Sequence, residues 1–313
     1  MGDKIATREA YGKALVELGK KNKNIVVLDA DLSKSTRTAE FGKEFPERFI
    51  DMGIAEGNMM ATAAGLATCG KIPFASSFAM FATGRAFEQV RNSICYPKLN
   101  VKIAATHAGV TVGEDGATHQ SVEDVSLMRS IPNMVVINPA DAVETKAAIF
   151  AAAEHKGPVY IRLGRYGVPV IYDEADYKFE LGKSITIRDG KDVTIIAAGV
   201  LVSEALKAYD ILNKEGISAR IIDMHTIKPI DKDAIIKAAK DTGAIITAEE
   251  HSIIGGLGSA VAEVLSEEYP VIMKRIGLND VFGQSGQAGE LLNFYGLSAD
   301  NIVAEAKKII KRK

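Results

Sequence analysis

Short runs that are apolar at nearly every position alternate along the chain with longer segments whose apolar residues recur at helical spacing. The runs "NIVVLDADL" (24–32), "IPFASSF" (72–78), "VKIAATH" (101–107), "MVVINP" (134–139) and "PVYIRLG" (158–164) read as strands. Segments 7–20, 55–68, 81–95, 122–131 and 141–156 read as the helices between them, the first with Thr7 as its N-cap. Strands with no polar alternation bury both faces. The pattern therefore predicts a mainly parallel sheet covered by helices on both sides.

The rhythm breaks over 165–182, where turn residues and acids are scattered without a period. It resumes with strands at 192–199, 219–227, 244–250 and 271–278 and helices at 201–215, 231–241 and 258–268. The prediction is an α/β chain of two domains, each a mainly parallel sheet flanked by helices. Their limits are 1–170 and 187–313, with 171–186 as linker. A length of 313 residues, long for one core, agrees with two.

Composition narrows the function classes. A net charge of −2 provides no electrostatic footprint for nucleic acid or an anionic membrane surface. Cys69 and Cys95 are too few for a disulfide framework or a metal cluster, and both read as buried, reduced thiols. The first fifteen residues lack an apolar signal core and no run of eighteen apolar residues occurs, which makes a cytoplasmic protein the expectation. The stretch "GGLGS" (255–259) has an incomplete dinucleotide-binding spacing. About twenty residues on, where an acidic ribose ligand is expected, stand Lys274 and Arg275, so helix packing is the better reading.

The chemistry concentrates in "THAGVTVGEDGATHQSVED" (106–124), a polar, glycine-rich strand-to-helix loop. In a parallel sheet such loops lie at the carboxyl edge, where ligands bind. Asp31 and Ser35 follow one strand, His107, Asp115 and His119 another, and Arg165 a third. Acid, imidazole and guanidinium at one sheet edge suit a charged, hydroxylated ligand. Arginine supplies the fork geometry that matches phosphate.

These residues resemble a family. "VGEDGATHQ" (112–120) after "ATH" (105–107) is similar to the signature loop of transketolases. "ATRE" (6–9), "DADLSKS" (29–35), "GIAEGNM" (53–59), "SFAMFA" (77–82), "NPAD" (138–141) and "GRYGVP" (164–169) agree in order, and "EEHSIIGGLGSAV" (249–261) resembles that family's C-terminal domain. The resemblance implies thiamine diphosphate as cofactor. It makes Glu56 the glutamate that hydrogen-bonds the aminopyrimidine ring and favours its imino tautomer. Phe78 and Phe81 become the aromatics packed around that ring, and Asp31 an acid near the thiazolium side. His107, Asp115 and His119 become sugar contacts, with the histidines in acid–base roles, and Arg8, Ser35 and Arg165 the sugar-phosphate clamp. Gly84 departs from the pattern, because many transketolases carry a third aromatic there.

No Gly-Asp-Gly, the family's start to its diphosphate and magnesium site, occurs in the sequence. The resemblance covers only the second half of a full-length transketolase. It thus implies a split enzyme, in which an N-terminal partner subunit binds the diphosphate and Mg2+ and the two assemble as a heterotetramer acting on sugar phosphates. A deoxyxylulose-phosphate synthase and the beta subunit of a 2-oxo acid dehydrogenase are the neighbouring alternatives. A non-catalytic scaffold is disfavoured by the presence of Glu56 and both histidines.

Overall fold

The computed structural model describes residues 4–313. Its strands, in chain order, are β1 (Lys4–Ala6), β2 (Ile25–Asp29), β3 (Phe49–Asp51), β4 (Ile72–Ser76), β5 (Lys102–Ala105), β6 (Val135–Ile137) and β7 (Val159–Arg162). They continue as β8 (Gly167–Pro169), β9 (Ile185–Arg188), β10 (Val193–Ala197), β11 (Ala219–Asp223), β12 (Thr226–Lys228), β13 (Ala244–Ser252) and β14 (Ile272–Leu278). A seven-stranded sheet in the order β12-β6-β7-β5-β4-β2-β3 forms the first unit, parallel except for β12. A five-stranded sheet in the order β14-β13-β10-β11-β9, parallel except for β9, forms the second. β1 and β8 pair antiparallel as a separate ribbon.

The central strands β2, β5, β7, β10 and β11 are buried at every residue, as two-sided helical cover requires. One apolar cluster runs through both units, joining Met59, Ile103 and Met128 to Ile196, Ile222 and Val261. The units are also joined by backbone, because β12 leaves the second and pairs with β6 of the first. The run 219–227, expected as one strand, is in fact two. Chain between Asp223 and Thr226 changes sheets, with the His225 carbonyl accepting from Asn138 N–H at 2.8 Å. An apolar run says that a strand is buried, not which sheet it joins.

Other expectations are corrected. Thr7 is the first residue of helix Thr7–Lys21 and caps nothing; its hydroxyl oxygen accepts from Gly164 N–H at 2.7 Å and ties β7's exit to the helix start. The segment 81–95 is two wide π-type stretches, Met80–Arg85 and Val90–Cys95, around a short α turn. Thr83 donates its hydroxyl proton back to the Ala79 carbonyl (2.7 Å), which competes with the regular ladder at the first of them. Cys69 is exposed, just past the end of helix Glu56–Thr68, while Cys95 is buried as expected. At "GGLGS", Glu249 accepts from Leu257 N–H (2.7 Å) and Gly258 N–H (2.8 Å), so a protein carboxylate occupies the helix end where a phosphate would bind. No helix among the described residues is long and apolar enough to cross a membrane.

One buried ion pair governs how β7 meets the site loop. Arg162 is 4% exposed and Asp124 fully buried; Nε donates to Oδ2 at 2.8 Å and Nη2 to Oδ1 at 3.2 Å. Tyr160 donates to the same carboxylate at 2.7 Å. Substituting Asp124 by Ala strands a buried guanidinium and should lower stability by about 3–5 kcal/mol, read from the urea midpoint. A midpoint equal to that of the native chain would refute the weight given to this pair.

Candidate active site

β5 ends at Ala105, and the chain turns through His107, whose φ of 57° places a non-glycine residue in the left-handed region. That turn lays the imidazole flat on Phe78, with ring centroids 3.7 Å apart. Nε2 lies 3.2 Å from Arg8 Nη1 and Nδ1 lies 2.8 Å from Thr106 Oγ1. Arginine only donates, so Nε2 is the acceptor and the ring proton sits on Nδ1, donated to Thr106. Burial, then the charges of Arg8, Arg165 and His119, push the imidazole pKa down to about 3. His107 is therefore a neutral ring with an acceptor at the site.

Arg8 also donates to the Ser35 backbone carbonyl at 2.9 Å, so Ser35 meets the cluster through its main chain. Burial lowers the Arg8 pKa, with Arg37 and Arg165 adding to the effect. Nε of Arg8 and of Arg37 are both buried without a hydrogen-bond partner. Three guanidiniums thus converge beside an uncharged imidazole. Glu9 pairs with Arg37 (2.9 Å) and Glu114 with Arg165 (3.0 Å), but none of these contacts satisfies the inward-facing Nε groups. Guanidinium forks of this kind match the geometry of an anion.

The aromatic wall continues from Phe78. Its ring lies 6.0 Å from Phe81, and Phe81 meets the His119 ring edge-on at 5.3 Å. Glu56, at the first position of helix Glu56–Thr68 where the macrodipole favours a carboxylate, is 2% exposed. Both its oxygens lie 2.9 Å from Arg85 Nη1. Arg85 is itself 52% exposed and lies over Phe81 at 4.6 Å. A buried carboxylate closed off by one half-exposed arginine is open to exchange of partner. At Gly84 an added Cβ would come within 2.5 Å of Met80 Cε, so methionine fills the space beside this glycine.

Asp31 and Asp115 stand apart from this group. Both are exposed, Asp31 with φ of 61°, its N–H donated to Asp51 at 3.1 Å. Arg165 Nη1 donates to the Val112 carbonyl, at the start of the "GEDG" turn. The structure thus assembles Arg8, His107, His119, Phe78 and Phe81, with Arg165 alongside, Glu56 reached through Arg85, and Asp31 and Asp115 on the rim. Sequence reading passed over Arg37, Arg85 and Asp29. Asp29 organises the turn before Ser35 by accepting from Leu32 N–H (2.7 Å), Thr36 (2.6 Å) and Thr38 (2.8 Å). The only signal was position, two residues past Ser35 for Arg37 and one past Gly84 for Arg85.

The family model described as the transketolase pyrimidine-binding domain matches residues 3–169, and that described as the transketolase C-terminal domain matches 182–302. The chain belongs to the transketolase family. A protein described as a transketolase C-terminal section from Methanocaldococcus jannaschii is 59% identical over 306 residues, covering 97% of this chain and 95% of its own. A 6-deoxy-6-sulfo-D-fructose transketolase subunit from a Clostridium species is 46% identical, covering 98% of this chain and 95% of its own. Among solved structures, an inactive β4 tetramer of a split-gene transketolase superposes with a TM-score of 0.91 at 59% identity, covering 99% of both chains. Membership in this family implies thiamine diphosphate dependence. The residues present fit the pyrimidine half of that cofactor: a dry carboxylate with an exchangeable partner lies beside a wall of aromatic rings.

The depressed His107 value makes a pH prediction. An unperturbed imidazole titrates between roughly pH 5 and 8, but the His107 proton resonances should stay those of a neutral ring throughout that window. Because the unfolded ring, near 6.5, binds protons first, its contribution to stability is present above that value and lost as pH falls toward 3. A titration midpoint near 6.5 would contradict the assigned environment.

Proposed function

We propose that this chain is the C-terminal subunit of a split transketolase. With a separately encoded N-terminal partner, it transfers a two-carbon ketol unit from a ketose phosphate to an aldose phosphate. The observation that carries the reading is the junction of two chemistries at one sheet edge. The buried Glu56 and its aromatic wall suit an aminopyrimidine ring, and the cluster of Arg8, Arg37 and Arg165 beside them suits a sugar's terminal anion.

Thiamine diphosphate, when bound, supplies the electron sink that lets a carbon–carbon bond next to a carbonyl break. Glu56 would hydrogen-bond the aminopyrimidine nitrogen in exchange for its contact with Arg85. Phe78 and Phe81 keep water from the ring. His107 is neutral, and its Nε2, once released from Arg8, would accept a hydrogen bond from a sugar hydroxyl, a pKa near 3 leaving it too weak a base to carry the proton off. His119, half-buried against Phe81, shares this role, and Asp115 on the rim receives a further hydroxyl. Asp31 lies at the mouth. Arg8, Arg37 and Arg165, with Ser35, grip the terminal anion.

In this reading residues 1–170 form the pyrimidine-binding domain, 171–186 the linker and 187–313 the C-terminal domain, β12 being the strand that crosses back. The diphosphate and Mg2+ belong to the partner, since no Gly-Asp-Gly occurs in this sequence. Two pairs of large and small subunits make a heterotetramer. The inactive tetramer formed by the similar split-gene chain supports the need for that partner.

A ketol-transfer assay with thiamine diphosphate, Mg2+, xylulose 5-phosphate and ribose 5-phosphate tests the reading. Activity is expected from the mixed subunits and not from either alone. Decarboxylation of a 2-oxo acid in place of ketol transfer would transfer the chain to the dehydrogenase class. In the active mixture, Glu56→Ala should reduce turnover by about 10²-fold or more with an unchanged melting temperature. Arg165→Ala should raise the Michaelis constant for phosphorylated sugars and leave that for unphosphorylated analogues in place. An equal effect on both would remove Arg165 from the clamp.

A further inference from the structure

The loop that carries the two histidines is not rigid by its own sequence. Gly109, Gly113 and Gly116 all have positive φ (79°, 86° and 75°), and each gives the backbone freedom that something else must remove. Its two stems close on each other through Gly109 N–H to the Ser121 carbonyl at 2.8 Å. Gln120 Nε2 donates to the Val110 and Gly113 carbonyls (3.3 and 3.0 Å) and Arg165 to that of Val112, and further restraint comes from the second unit.

We infer that Glu250, on β13 of the second unit, is a positioning residue for the site loop 108–122. Its Oε1 accepts from Thr111 N–H at 2.6 Å, on the stem that leads from His107 to the "GEDG" turn. The carboxyl group fills the space beside Gly109, where an added Cβ would lie 2.3 Å from Glu250 Cδ. The same strand grips the other stem. The Glu250 carbonyl accepts from Arg162 Nη2 at 2.9 Å, and Ser252 N–H donates to the Val122 carbonyl at 2.7 Å. Two residues of one strand therefore hold both ends of a loop belonging to the other unit.

The chemistry of the contact favours a specific acceptor over general packing. Glu250 is buried, and its oxygen satisfies an amide that no strand or helix of the loop serves. The charged groups facing it are Arg162 from β7 and Asp124 from the helix after the loop. Burial raises the carboxyl pKa to about 7, against the pull of Arg162, so glutamine closely mimics its protonated form. Glutamine keeps the acceptor for Thr111; alanine removes it.

The inference rests on the ketol-transfer reading for its catalytic consequence, and the two can fail separately. In the full-length chain, hydrogen exchange is followed at Thr111 and across 113–120 for the native protein, Glu250→Gln and Glu250→Ala. Exchange should quicken at least about tenfold in the alanine variant, as a released local contact does, and remain near native in the glutamine variant. In the mixed-subunit enzyme, a displaced loop should lower kcat by about 10-fold to 100-fold in Glu250→Ala. Thiamine diphosphate affinity should hold, and Glu250→Gln should restore turnover. Native exchange at Thr111 in Glu250→Ala overturns the inference. So does quickened exchange with native kcat, or a loss of kcat that glutamine fails to rescue. A native mixture silent in ketol transfer overturns the function reading instead, and exchange at Thr111 still decides whether Glu250 holds the loop.

Discussion

Arg162 is a charge taken fully out of water at the point where the two units and the site loop meet. Such burial is tolerated only where the charge is paired and its remaining protons are bonded. Asp124 supplies the pairing, Tyr160 shares the carboxylate, and the Glu250 carbonyl takes a further guanidinium proton. Each partner sits on a different element: Tyr160 beside Arg162 on β7, Asp124 on the helix after the loop, Glu250 on β13. Displacing any one of them exposes the cost of the others. The loop that bears His107 and His119 is suspended between elements whose relative positions this interaction sets.

From that fixed frame the electrostatics of the site follow. Burial lowers the Arg8 pKa most, and the neighbouring guanidiniums of Arg37 and Arg165 lower it further by like-charge repulsion. His107 stays neutral chiefly because it is buried, with the charges of Arg8 and Arg165 adding to the effect. The same positive charge that disfavours a proton on the imidazole favours an anion near the arginines.

The alternation of buried strands and helices, the turn-rich stretch between the two units and the "GEDGATHQ" loop were legible in the sequence, because two-sided burial and glycine-rich polar loops leave local marks. Glu56, Phe78, His107 and His119 were legible through the motifs around them. What escaped depends on long-range pairing. The 219–227 run does not disclose that its end joins the other sheet, and the apolar surroundings of Cys69 do not disclose that the helix ends just before it. Arg85, Arg37 and Glu250 owe their positions to partners 29, 28 and 139 residues away, Glu56, Glu9 and Thr111 respectively, and no periodicity carries that information. The widening of the helix at 80–95 left no mark either, since one extra residue per turn shifts an apolar pattern too little to see.

The central claim is that this chain holds one half of a thiamine diphosphate site and requires a partner for the other. Calorimetric titration of thiamine diphosphate with Mg2+ into this chain, into the N-terminal partner and into their mixture tests it most directly. Saturable binding confined to the mixture, and weakened there by Glu56→Gln, is the predicted result. Tight binding by this chain alone, or binding by the mixture that is indifferent to Glu56, would contradict it.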